Sequence, residues 1–235
     1  MSIAENIAAI RGKMDAAAIA AGRDPKDILL CAATKMNNAD AVRQAIAAGV
    51  NCCGENRVQE LTQKLSENAY IGAPVHFIGH LQTNKVKQVV GKVDLIQSVD
   101  SEHLAAAIQA QAAKIGIVQD ILLEVNIAGE DSKSGFSVPA LYGFLENTAH
   151  FPNIRIRGLM AIPPITQNST DNHKFFQEMY NLSVDITAKK YDNVLVDILS
   201  MGMSGDYVDA IACGSTMVRL GTAIFGARDY VTSHP

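Results

Sequence analysis

The strongest constraint on this chain is an alternation. Eight short β-rich runs, ILLCAATK (28–35), NCCGE (51–55), VHFIGH (75–80), DLIQSV (94–99), DILLEVNI (120–127), IRIRGLMAI (154–162), VLVDILSM (194–201) and TMVRLGTAIF (216–225), are separated by segments with helical patterns. Those segments are Ala39–Ala48, Arg57–Asn68, Asn84–Val90, Glu102–Ala113, Val138–Thr148, Asp171–Lys189 and Asp206–Cys213, and a further helix is expected within the first 23 residues. Strand, helix and strand in succession require parallel pairing through right-handed crossovers, and strands apolar on both faces suit a sheet covered outside and filled inside. Eight such units in roughly 200–250 residues predict an α/β fold, a single (β/α)8 TIM-type barrel domain over residues 1–235 with an additional N-terminal helix. A doubly wound open sheet is the alternative. About ten residues follow the eighth run, so the N-terminal helix is expected to close the last unit.

Composition narrows the function classes. A net charge of -4 with scattered lysines and arginines offers no basic face to nucleic acid. The N-terminus carries early acidic residues and no long apolar run, so neither a signal peptide nor a membrane span is expected, and the chain reads as soluble and cytoplasmic. Cys31, Cys52, Cys53 and Cys213 form no C-x-x-C pair and have no short spacing to histidine, so they read as small core residues of a reducing compartment, and no metal is expected. No linker, low-complexity tract or repeat beyond the βα rhythm interrupts the chain; the polar connection 128–137 is a candidate mobile loop.

In a βα barrel the site is built at the C-terminal ends of the strands. This sequence places there Lys35, Glu55 and Asn56, His80, Asn126, Met160, Pro163 and Pro164, then a glycine-bearing turn after strand seven, and Arg219, Gly221 and Thr222 from strand eight. Ser204, Gly205 and Asp206 read as a loop entering a helix, whose amides and dipole suit an anion, although the same pattern is also an ordinary N-cap. Gly221 and Thr222 add a close backbone approach and a hydroxyl at the positions where barrels commonly bind phosphate, or mark a bulge. A lysine at the end of an apolar strand either snorkels to water or is held for chemistry, and beside a phosphate site it can form a Schiff base with a phosphorylated aldehyde. Pyridoxal 5′-phosphate fits that description, and sugar phosphates remain open. Arg219 either pairs with a carboxylate such as Asp94 or Asp197, or faces a pyridine nitrogen and keeps it unprotonated, a weaker electron sink. His80 can line the mouth or be a satisfied histidine; His103, His150, His173 and His234 read as surface positions.

Several stretches resemble a known family: ATK after the first strand, GENRVQE (54–60), HFIGHLQTNK (76–85), SKSGF (132–136), GLMAIPP (158–164), LSMGMSGD (199–206) and GSTMVRLGTAIFGARDY (214–230). They are similar to the pyridoxal phosphate homeostasis proteins, whose barrel is like the N-terminal domain of alanine racemase. The resemblance implies that Lys35 carries the cofactor as a Schiff base, Asn56 lies near its ring and phenolic oxygen, Arg219 faces its ring nitrogen, and Ser204, Gly205, Gly221 and Thr222 hold its phosphate. It also implies a secondary interaction of Lys133 with B6 vitamers. Cys53 stands where the family more usually has an aromatic. Racemisation needs an acid and a base on opposite faces of the substrate, which in the racemases come in part from a second domain, whereas this chain ends at Pro235. The expectation is therefore a monomeric carrier of pyridoxal phosphate that supplies it to apo-enzymes and affects amino acid and keto acid metabolism. The alternative is a slow racemase using Lys35 with Tyr207, His80 or Cys53 as the second base.

Overall fold

The computed structural model describes residues 1–130, 133–164 and 169–226, so His234 and the middle of the 128–137 connection lie outside the described residues. Eight parallel strands close a barrel in chain order: β1 (Leu29–Ala33), β2 (Cys52–Glu55), β3 (Val75–Phe77), β4 (Leu95–Val99), β5 (Gln119–Glu124), β6 (Ile154–Met160), β7 (Val194–Ser200) and β8 (Met217–Leu220). β8 pairs with β1, with Cys31 opposite Arg219, and β1 pairs with β2, with Cys31 opposite Cys52. Helices α1 (Ile3–Ala20), α2 (Ala39–Ala47), α3 (Val58–Ser66), α4 (Glu102–Ile115), α5 (Val138–Leu145), α6 (Ser169–Lys189), α7 (Tyr207–Ala212) and α8 (Thr222–Phe225) lie outside. Among the described residues no helix is long and apolar enough to cross a membrane.

The period-two alternation of side chains divides the strands between two cores. Leu30, Ala32, Ile96, Ile121, Leu123 and Leu159 face the helices in the main hydrophobic cluster. Their neighbours Cys31, Cys52, Met217, Leu95, Leu122 and Met160 form two small clusters inside the barrel. The rest of the interior is polar, with buried His76, Gln97, Ser200 and Arg219. Between β5, β6 and β7, Asp120 accepts from Arg155 and Arg157, and Arg157 also pairs with Asp197.

α1 takes the expected closing position. Its N-terminus is fixed by a capping box between Ser2 and Glu5, and its buried face, Ile7, Ile10, Met14, Ala17 and Ala18, packs against α2, α7 and α8. Two elements differ from expectation. The stretch Asn84–Val90 is a 3-10 segment, Thr83–Gln88, packed between α3 and α4. The eighth strand stops at Leu220 rather than Phe225: Gly221 becomes the N-cap of the short helix α8, which puts Thr222 at a helix start on the barrel mouth. In the connection after β5, Phe136 is buried and its amide donates to the Glu124 carbonyl at 2.8 Å, so the described end of that loop folds back onto the strand.

Candidate functional site

The turn that presents the first strand's lysine is braced from below. After Ala33 the chain passes through buried Thr34 to half-buried Lys35 and then Met36, whose φ of 61° is left-handed. Thr34 Oγ1 donates to the Glu55 carboxylate at 2.6 Å, Lys64 Nζ from α3 donates to the Thr34 carbonyl at 2.8 Å and to Glu55 Oε1 at 2.6 Å, and Glu60 Oε2 accepts the Met36 amide at 2.6 Å. Glu55 is fully buried in this arrangement, so it is not on the mouth as its sequence position suggested. It faces α3 because Cys52 and Gly54 take the inward positions of β2, and its role is to hold residues 34–36 in place.

Across the mouth lie the turns after β7 and β8. Ser204 Oγ accepts the Ala223 amide at 3.3 Å and ties one turn to the other. Asp206 accepts the Met203 amide at 2.6 Å and the Asn172 amide group at 3.1 Å, and burial raises its carboxyl above the usual range. α7 has six residues and α8 four, so the favourable field for an anion comes from turn amides and the Ser204 and Thr222 hydroxyls more than from long helix dipoles. A Cβ built on Gly205 meets nothing within 4 Å, and one on Gly221 meets only Ala33 at 3.5 Å. Protein packing alone would tolerate side chains there; they would fill space that a ligand needs.

Arg219 forms the floor. Its guanidinium is buried, and burial lowers its pKa. Nη1 donates to Ser200 Oγ at 2.7 Å and Nη2 to the Ala161 carbonyl at 2.9 Å. The carboxylates considered from sequence are engaged elsewhere: Asp197 with Arg157, Asp94 with the Val75 amide at 2.7 Å. The Ser200 hydroxyl donates in turn to Gln97 Oε1 at 2.7 Å, and Gln97 Nε2 meets His76 Nδ1 at 2.8 Å. Burial lowers His76 to about 4, so it is neutral near pH 7 and accepts the Gln97 proton at Nδ1. A hydrogen-bonded row thus runs from the mouth to the centre of the barrel.

Lys35, Ser204, Gly205, Arg219, Gly221 and Thr222 line one cavity of about 390 Å³, with Asn172, Met203, Asp206 and Pro163 completing it. Asn56 lines an adjoining cavity of about 280 Å³ with Gly79, His80, Glu124, Asn126 and Lys133, and Pro164 borders both. Asn56 Oδ1 is buried with no partner among the described residues. Its backbone is fixed by Gly79, where any Cβ would overlap the Asn56 carbonyl. Burial raises Glu124 in the same cavity, and His80 Nδ1 meets Asp100 at 3.2 Å. Cys53 and Tyr207 instead pack in the main hydrophobic cluster, and burial pushes the Cys53 thiol up to about 12. The sequence reading missed Asn172 and the His76–Gln97–Ser200 row; isolated polar residues at inward positions of apolar strands were the available signal.

A closed barrel whose mouth brings a lysine, a buried arginine and two turns of serine, glycine and threonine to one cavity defines a class. The chain belongs to the family described as alanine racemase, N-terminal domain, whose model matches residues 2–229. Within it the chain stands among the pyridoxal phosphate homeostasis proteins, being 42% identical over 229 residues to the one from Pseudomonas aeruginosa, across 97% of each chain. It is similar to PipY of Synechococcus elongatus, solved with PLP bound, at 31% identity and a TM-score of 0.83, covering 96% of this chain and 100% of that one. A likeness to alanine racemase of Clostridium difficile, at 15% identity and TM-score 0.70 over 95% of this chain and 57% of the other, concerns the fold.

Proposed function

We propose that this chain holds pyridoxal 5′-phosphate as a Schiff base on Lys35 and acts in cytoplasmic vitamin B6 homeostasis as a carrier, its single barrel domain being the binding unit. The observation that carries the reading is the convergence of Lys35, Ser204, Thr222 and Arg219 on one cavity. The residues fit the cofactor: Gly205 and Gly221 leave room for a phosphate, Asn56 keeps an unpartnered buried amide oxygen at the border, and the Arg219 donors suit a ring nitrogen. Ser204, Gly205, Gly221 and Thr222 would hold the phosphate, Lys35 the aldehyde, and Asn56 would approach from the adjoining cavity. The bound aldehyde would supply an electron sink, and Arg219, which does not release its proton, would keep it a weak one.

Carriage is favoured over turnover by the ionisable groups present. Among the described residues lining the cavity these are Lys35, Asp206 and Arg219, and Asp206 is engaged by Met203 and Asn172. One amine serves one face of a substrate, whereas racemisation requires proton transfer at two. The partners in this reading are pyridoxal phosphate, other B6 vitamers and pyridoxal-phosphate-dependent apo-enzymes, with the protein acting as a monomer and influencing amino acid and keto acid metabolism.

The absorbance of the purified protein before and after borohydride, with mass mapping of the reduced adduct, tests the site. A Schiff-base band that disappears in Lys35→Ala and an adduct on Lys35 are expected; labelling of another lysine overturns the assignment. Steady-state assays over D- and L-amino acids test the carrier reading, which Lys35-dependent turnover above background would reverse.

A further inference from the structure

Below the floor of the site, three soft donors meet. The ligand atoms of Cys31, Cys52 and His76 lie within 4.8 Å of one another, all three buried. Sequence spacing hides the group, since its members come one each from β1, β2 and β3 and become neighbours only through the parallel register Cys31 to Cys52 and the closure of the barrel. Met217 belongs to the same interior cluster, and its sulfur accepts Gln97 Nε2 at 3.2 Å, the amide that also meets His76. The cluster therefore offers two thiols, an imidazole and a thioether, all buried inside the barrel.

We propose that Cys31, Cys52 and His76 form a binding site for one soft monovalent cation, Cu(I), with Met217 as a neighbouring weak donor. Thiolate and thioether sulfur with imidazole select soft d¹⁰ cations over magnesium, calcium or manganese, which take oxygen. Charge separates Cu(I) from Zn(II). Two thiolates around a monovalent cation carry one net negative charge, and the neighbour of Cys31 on β8 is the buried Arg219 guanidinium, whose hydrogen-bond partners Ser200 and Ala161 are neutral. The pair of charges would cancel, whereas a divalent cation would leave Arg219 the field of the Glu124 and Asp206 carboxylates alone. An imidazole ligates as the neutral ring and a thiol as the thiolate, so binding displaces two thiol protons, which pass to solvent; copper keeps its oxidation state and no electron moves.

Anaerobic titration of the full chain with Cu(I) against a chromogenic Cu(I) chelator tests the site. One Cu(I) per chain is expected, with a thiolate-to-copper ultraviolet band. Substituting Cys31→Ser and Cys52→Ser together should weaken binding by more than about 100-fold, beyond the usual effect of losing an outer partner. Cys53 and Cys213 remain in that variant as internal controls, so unchanged binding would show adventitious thiol capture and overturn the proposal. Should the double variant fail to fold by circular dichroism, X-ray absorption of the copper-loaded wild type decides: a shell of two sulfurs and one imidazole nitrogen is expected, and a shell of oxygen or of sulfur alone rejects the site. Tighter competition by Zn(II) than by Cu(I) in parallel titrations would also reject it.

Discussion

At the scale of single residues, His76 couples the barrel's stability to pH. Its folded pKa is depressed to about 4 by burial, while the unfolded chain's imidazole titrates near 6.5. Above about pH 6.5 both states are neutral and the group contributes nothing; between there and about pH 4 the unfolded state binds the proton and the folded state does not, so stability falls as pH falls. The loss should approach about 3 kcal/mol in metal-free protein. Urea midpoints measured with a chelator present should decline over that window in the wild type and be distinctly flatter in His76→Gln; parallel profiles would refute the assignment. At the mouth, Ser204→Ala and Thr222→Ala each remove a hydroxyl from the proposed phosphate cradle. Hydrogen bonds to charged groups contribute about 1.5–3 kcal/mol, so each variant should release pyridoxal phosphate at a Kd raised by roughly 10- to 100-fold, with the thermal midpoint of the apo protein nearly unchanged. The residues on this rim were legible in the sequence because the glycine, serine and threonine turns, each open to a cap or bulge reading alone, fall together after the last two strands. His76, Gln97 and Ser200 were not, since a lone polar residue within a four- to seven-residue strand shows its partner only once eight strands are closed.

At the scale of elements, the packing of α3 against the turn after β1 explains why the lysine sits where it does. Glu55, Glu60 and Lys64 grip Thr34 and Met36 on either side of Lys35. Lys64 and Glu55 are buried together, and removing one partner of such a pair leaves an uncompensated charge that costs about 3–5 kcal/mol. Lys64→Met should therefore destabilise the fold by that order in urea titrations, and Lys64→Met with Glu55→Gln should recover much of it. The recovered double variant should still hold pyridoxal phosphate weakly, since the Lys64 ammonium and the Glu55 carboxylate no longer fix the turn. Normal affinity there would mean that the ion pair serves stability alone. The direction of Glu55 could have been read from strand parity, because Cys31 and Arg219 inward imply Cys52 and Gly54 inward and Glu55 outward. The end of β8 could not: Gly221 in TMVRLGTAIF reads as a bulge as readily as a strand end, and the helix Thr222–Phe225 becomes visible only in the fold, where it packs against α1.

At the scale of the whole molecule, α1, the element that precedes every strand, packs against the helices on either side of the β8–β1 closure. The alternation made the barrel legible, since eight parallel strands with covering helices have few other solutions. It also made α1 legible as a surplus helix with one place to go. α1 buries Ile7, Ile10 and Met14 against the shell, and full burial of side chains of that size contributes about 1.5–3 kcal/mol each. Their sum is comparable to the net stability of a typical domain, about 5–15 kcal/mol. The helix also reaches the site: Asn6 Nδ2 donates to the Ile224 carbonyl at 2.9 Å and so holds α8, whose first residue is Thr222. Two variants separate these roles. Ile10→Ala should cost about 2–5 kcal/mol as a large-to-small core change and lower the urea midpoint. Asn6→Ala should cost only about 1 kcal/mol in stability, the worth of one hydrogen bond, yet weaken pyridoxal phosphate binding, because α8 is released at the proposed phosphate end of the cavity. Equal affinity in wild type and Asn6→Ala would show that α1 closes the barrel without positioning the cradle, and an unchanged urea midpoint in Ile10→Ala would show that the barrel closes without it.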